Sequence, residues 1–325
     1  MVFEPFEDES DFEDLADRLN DPDPAVRRVA VMDLADTADP DAIPMIARAV
    51  EDESAEVRLQ AAIALGEFDG LAAATALCKA LQDADGKVSR VAADSLAELK
   101  DPEAADPLLE LTAHENAKVR EGALLGLKQL RRPDALANGI EAMKDPVAAV
   151  RIQAVGVVGY LKAEEALPAL IACCRDEDPE VRRTAVSALA FTKSSHARDA
   201  LLAALGDDNW AVREIAAEVL GRFPIGKDAQ KLIVLLDDPY WQVRVKAVRS
   251  LGVQKVSEAI DRIGAQLDEL TSNLRKEAAA ALGEIADRAA LPYLESLVDD
   301  PDPDVRKNVR WALGNRVTML QSNKA

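Results

Sequence analysis

Histidine is almost missing from this chain: His114 and His196 are the two in 325 residues. Chemistry that gathers several imidazoles around a metal, or pairs one with a serine or cysteine nucleophile, has little to work with. Cysteine is equally scarce. Cys78, Cys173 and Cys174 show no C-x-x-C spacing, and neighbours on one helix point in different directions, so no Cys173–Cys174 disulfide is expected. All three read as small buried hydrophobes. No apolar run is long enough to cross a membrane. The start, MVFEPFEDES, lacks the basic beginning and apolar core of a secretion signal. A cytoplasmic location is the expectation. No glycine-rich phosphate loop occurs, and the sequence holds no catalytic constellation, so the chain is read as a non-enzyme without cofactor or metal.

Positive charge is also short, with 39 Lys and Arg against 59 Asp and Glu and a net charge of −20. Residues 1 to 150 hold 33 acids against 15 bases, a balance of −18, while residues 151 to 325 hold 26 against 24, a balance of −2. Binding to phosphates needs clustered positive charge, so nucleic acid is disfavoured as a partner.

What the chain does have is a period. Arg27, Arg58, Ser89, Arg120, Arg151, Arg182, Arg213, Arg244, Arg275 and Arg306 are 31 residues apart without a break, and Ser89 is the one departure. The preceding residue is valine in all but Leu274, and the third following one is alanine from Ala30 to Ala278. A fixed period of this length marks a solenoid, whose units bury their apolar faces only against their neighbours. The spacing is helical. Each unit begins one helix at a capping position such as Asp23, Ser54, Asp85 or Asn116. Val26, Ala30 and Leu34, then Val57, Ala61 and Leu65, share one face of it. Gly66, Gly159, Gly221, Gly252, Gly283 and Gly314 are expected to close these helices in the left-handed conformation. A second helix carries Ile43, Ile46 and Val50, then Leu77 and Leu81, and Leu108, Leu170, Leu201, Leu232, Ile263 and Leu294 continue its column. Projected back by one period, this column meets Phe12, Leu15 and Leu19. The reading is an all-α chain of about ten antiparallel helix pairs forming one solenoid over residues 10–317. An acidic tail, 1–9, is expected to be disordered, and a short tail, 318–325, follows.

Six residues before each arginine stands an acid, from Asp21 to Asp300, except at His114. The two columns fail in consecutive units, at Ser89 and His114, which suggests that the arginine of one repeat bonds the acid of the next.

The segments DPDPAVRRVAVMDLA (21–35) and DEDPEVRRTAVSALA (176–190) resemble the HEAT repeat. The short 31-residue subtype is similar to that of phycobilisome lyase-type HEAT-like proteins and of artificial proteins built on the same consensus. The resemblance covers nearly the whole chain and implies an α-solenoid superhelix. It implies several functions, since adaptors, assembly factors, chromophore lyases and a few hydroxylases share the scaffold. The hydroxylases of the deoxyhypusine type hold two irons with several His-Glu pairs. This chain has one, His114-Glu115.

In HEAT proteins the Val-Arg helix lines the concave side, so the resemblance sends the columns one, five and nine after the arginine to a groove. That stripe is unexpectedly apolar at Leu59, Ile63, Leu125, Ile152, Tyr160 and Phe191, and exposed apolar surface marks binding sites. Whether superhelical curvature buries these side chains is open at this point. Arg183, Arg222, Lys246 and Arg249 make the stripe more basic toward the C-terminal end, where an acidic segment could be received. A second candidate surface is the loop edge with Trp210, Tyr240 and Trp241. Trp210 and Trp241 occupy one column and are expected side by side. The reading is a protein-binding scaffold, an adaptor or assembly factor, monomer favoured. The alternative is a subunit of a bilin or other chromophore lyase.

Overall fold

Residues 9–192 and 194–314 are described by the computed structural model, with side chains from Phe12 onward. They contain helices and turns and no strand. The expected tails lie outside the described residues, apart from Glu9. Contacts divide the chain after Ala166 into two compact units.

Among the described residues, each unit contains five helix pairs. In the first unit, short helices Glu9–Arg18, Ile43–Ala49, Leu71–Leu81, Ala105–Leu111 and Ala135–Ala142 alternate with Val-Arg helices. Those are Pro24–Asp36, Ala55–Leu65, Gly86–Leu96, Ala117–Leu130 and Ala148–Leu161. In the second unit the Val-Arg helices are Pro179–Ala188, Trp210–Leu220, Trp241–Val253, Ser272–Ile285 and Pro303–Gly314. Within a unit, each Val-Arg helix packs on the one before and after it and on its own short partner. The repeat columns account for this packing. Ala61, Ala92, Ala123, Leu65, Leu96 and Leu127 are wholly buried, as are Leu77, Leu108, Leu170, Leu201, Leu232, Ile263 and Leu294. The three cysteines are buried, and burial pushes the Cys78 and Cys174 thiols up to about 12.

Helix starts follow the sequence. Asp23, Asp85, Asn116, Asp178 and Asn209 each accept a hydrogen bond from the N–H two residues on, which satisfies one of the free donors of the first turn. Ser54 and Thr271 stand at the same position without that bond.

The glycines correct the expectation. Gly66 and Gly221 close their helices with right-handed φ of −67° and −58°, and Gly159, Gly252 and Gly283 lie inside helices. The left-handed residues are instead Ala38, Arg131, Lys162, Lys255 and Ala286, eleven past the arginine column. Close packing explains the glycines. A Cβ on Gly252 would stand 2.7 Å from the Ala281 Cα, and one on Gly283 2.7 Å from the Ala312 Cβ, so the next Val-Arg helix approaches where a side chain would be.

The charge ladder is present, and it runs from one repeat to the next. Arg27 donates from Nε and Nη2 to the two carboxylate oxygens of Asp52, at 2.7 and 2.8 Å. Arg58–Asp83 and Arg120–Asp145 repeat this fork in the first unit. Arg182–Asp207, Arg213–Asp238 and Arg275–Asp300 repeat it in the second. Nη1 of each also donates to the backbone carbonyl six residues earlier, as in Arg58 to Asp52. The acid also shapes its own loop, since Asp52 accepts from the Ser54 N–H and fixes the turn before the helix. Each rung thus joins two loops and a helix start through paired, charge-assisted bonds. Burial alone would raise the Asp52 and Asp83 carboxyls. The bonds accepted from arginine and from the turn N–H outweigh it and hold both below the usual range.

Candidate functional site

The columns one, five and nine after the arginine turn away from the buried alanine and leucine columns and meet solvent. In the first unit Met32 and Ile63 are each 44% exposed and Tyr160 45%, while Leu59, Leu125 and Ile152 are half-buried. None of the apolar residues predicted for this stripe is buried. Tyr160 carries the Arg131 guanidinium over its ring at 5.1 Å. That arginine is the left-handed residue ending the preceding Val-Arg helix, so the helix terminus places it.

In the second unit Phe191 is half-buried in the turn Leu189–Phe191. The cations expected to receive an acidic segment have partners. Arg183 is held by Glu180 at 2.6 Å, Lys246 by Glu218 at 2.5 Å and Arg249 by Glu277 at 2.6 Å, while Arg222 is exposed. Trp311, 47% exposed, was missed by the sequence reading. Its signal was its place in the column of Ile63.

At the loop edge of the second unit, Trp210 stacks on Tyr240, with ring centres 5.4 Å apart and planes 14° from parallel. Trp210 and Trp241 open adjacent Val-Arg helices, and the ring stacked on Trp210 is that of Tyr240, the residue before Trp241. The Arg213 guanidinium also lies 5.9 Å over the Tyr240 ring. Tyr240 and Trp241 are 45% and 38% exposed, and Leu270, on the loop of the next repeat, is 98% exposed. The leucine stands where other repeats have proline, glutamate, aspartate or alanine, a signal present in the sequence and overlooked.

The break in the ladder has its own geometry. Ser89 is too short to leave its repeat and donates instead to the Leu81 carbonyl at 2.9 Å. His114 accepts the Asn116 N–H at Nδ1, the turn bond an aspartate makes elsewhere. The turn survives and the cross-link does not. Beside Ser89 a recess of about 330 Å³ opens between Gly86–Leu96 and Ala117–Leu130. A further cavity, about 560 Å³ in the second unit, is lined by Leu167, Ile171, Arg175, His196 and Asp199. Among the described residues no group of three or more His, Cys, Asp and Glu is placed to hold a metal, and no helix is long and apolar enough to cross a membrane.

No curated protein matches the chain. Among solved structures, YibA of Escherichia coli is 19% identical, with a TM-score of 0.63, over 84% of this chain and 99% of that one. An engineered protein is 21% identical over 94% and 98%, with a TM-score of 0.52. Yeast importin-β, Kap95p, is 16% identical over 95% of this chain, with a TM-score of 0.62, and this chain spans half its length. At such identities the likeness is one of fold, the α-solenoid. The family model for HEAT repeats matches residues 12–88, 74–138, 139–223 and 229–314. With these matches, the 31-residue helix pairs and the arginine ladder, the chain belongs to the HEAT-repeat family.

Proposed function

We propose that this chain is a non-catalytic scaffold that binds a protein partner, as an adaptor or assembly factor, on the faces formed by columns one, five and nine after the arginine. The observation that carries the reading is the exposure of Met32, Ile63 and Tyr160 on a stripe where solvent-facing helices ordinarily carry polar groups. Leu59, Leu125 and Ile152 border them, and in the second unit Arg183, Phe191, Arg222 and Arg249 stand in the corresponding columns, with Lys246 in the column beside them. The aromatic loop edge at Trp210, Tyr240 and Trp241 is a second contact surface of the same protein-binding kind. Kap95p, 17% identical over 94% of this chain, binds RanGDP and turns its switch loops to the GTP-bound conformation, so a related fold serves protein binding there. The lyase-type subtype, and with it a chromophore-lyase role, rests on repeat length alone, and absorbance after mixing with a bilin tests it.

The test is affinity capture from the source lysate, comparing the native chain with Ile63→Asp/Tyr160→Asp and with Tyr240→Asp/Trp241→Asp. Loss of a captured protein from either variant, with helicity unchanged, supports the reading. Recovery of the same proteins by all three refutes it.

A further inference from the structure

In the first unit, three features share the solvent-facing stripe. Met32 and Ile63 form an exposed apolar row. One helical turn further on, Asp36, Glu67 and Glu98 form a parallel row, all exposed, and none has an ion-pair partner among the described residues. The recess beside Ser89 lies on the same side. It exists because positions 89 and 122 hold serine and glycine where other repeats carry arginine in the first column and Val29, Gln60, Val91 or Gln153 in the second. Leu81, Ala93 and Leu125 give it apolar walls, and the carboxylates of Asp94 and Glu121 stand at its rim beside Arg90 and Lys118. Arg90 is 4.0 Å from Asp94 and exposed. Around these features the chain is strongly acidic, with a balance of −18 over residues 1 to 150.

We infer that this face takes a basic amphipathic helix of a partner protein, and that the recess seats one of that helix's arginine side chains. The inference rests on the protein-binding reading above and adds the partner's chemistry. Neighbouring helices pack about 8 to 10 Å apart, and seven residues of α-helix advance about 10.5 Å. A partner helix laid across successive repeats therefore sets every seventh side chain against the apolar row. Its flank meets Asp36, Glu67 and Glu98, which demand Lys or Arg. The recess suits a long alkyl stem on Leu81, Ala93 and Leu125, and a planar fork of donors toward Asp94 and Glu121 suits guanidinium better than ammonium. The chain's own ladder uses the same chemistry at Asp52 and Asp83.

The experiment titrates the full chain into three fluorescent helical peptides and reads anisotropy. Each has leucine at every seventh position; the flanking residues are arginine in the first, lysine in the second and glutamate in the third. The arginine peptide is expected to bind about tenfold tighter than the glutamate peptide, through three exposed ion pairs, and to weaken as salt rises. It should also exceed the lysine peptide. Asp36→Lys/Glu67→Lys/Glu98→Lys should invert the order of arginine and glutamate peptides. Ser89→Arg fills the recess from within and should abolish the preference for arginine over lysine. Equal or tighter binding of the glutamate peptide, an unchanged order in the charge-reversed variant, or no binding of any peptide overturns the basic partner. An arginine preference that persists in Ser89→Arg overturns the seat. If lysate capture is lost in Ile63→Asp/Tyr160→Asp and kept in the charge-reversed variant, the basic helix falls and the protein-binding reading stands. If these two variants and Tyr240→Asp/Trp241→Asp all keep their captured proteins, both fall.

Discussion

Arg244 meets its neighbour on poorer terms than the other ladder arginines. Its partner is Glu269 where six observed rungs have aspartate, and contact is reduced to Nη2 and one carboxylate oxygen at 3.2 Å. Its Nε is buried without a hydrogen-bond partner. The extra methylene of glutamate explains this, because it carries the carboxylate past the point where both nitrogens can reach it. Glu269→Asp should restore the fork seen in Arg275–Asp300, and with it the turn bond that Asp300 accepts from the Asp302 N–H. A buried donor left unpaired costs about 1–3 kcal/mol. Arg244 retains 16% side-chain exposure and Glu269 40%, so water relieves part of that cost. A gain of about 1 kcal/mol follows, which raises the midpoint of a unit of this size by about 2–4 °C. Thermal and urea unfolding by circular dichroism measure it, and hydrogen exchange of residues 241–300 shows whether the gain is local. Glu269→Gln, equal in length and uncharged, should lower the midpoint. A midpoint that is unchanged or lower in Glu269→Asp would refute the account of the ladder as a length-selective fork.

Supplying the missing rung by Ser89→Arg/His114→Asp should stabilise the first unit by more than the two single changes together, with a coupling of about 1 kcal/mol in a double-mutant cycle; strict additivity would mean the guanidinium does not reach position 114. Acid should unfold the chain through its ladder. The carboxyls of Asp52, Asp83, Asp145 and Asp207 feel burial, which raises them, and arginine and turn N–H bonds, which prevail and lower them. A lowered folded-state value means stability that is complete above the ordinary aspartate range, near pH 4, and is lost as pH falls below it. Asp52→Asn should flatten that acid limb, which urea midpoints between about pH 2 and 6 will show. Gly252→Ala, meeting the Ala281 backbone at 2.7 Å, should cost about 1–3 kcal/mol. Gly86→Ala, with open space around its Cβ, should be neutral or stabilising in the same urea assay.

The period was fully legible because a solenoid repeats its environment: each unit sees the same neighbours, so the same residues return. The capping aspartates, the buried alanine and leucine columns and the link from one repeat's arginine to the next repeat's acid were all readable. The paired failure at Ser89 and His114 gave the direction of that link. The glycines misled, because a glycine near a helix end has two uses. Gly252 and Gly283 serve close approach, and the left-handed turn falls three residues later on residues such as Lys255 and Ala286. The aromatic edge was readable as a location. Its pairing was not, since Trp210 and Trp241 share a column and the ring that reaches Trp210 belongs to Tyr240.

By itself the sequence determined the architecture of the repeat, because helix spacing, caps and the charge ladder are local or nearest-neighbour relations that recur with the residues. Tertiary structure decided what the stripe offers: which apolar side chains stand in solvent, that Lys246 and Arg249 are already neutralised by Glu218 and Glu277, and that two small residues in separate repeats open a recess. Those outcomes depend on the distances between side chains of different repeats, and a one-dimensional pattern carries no such distances.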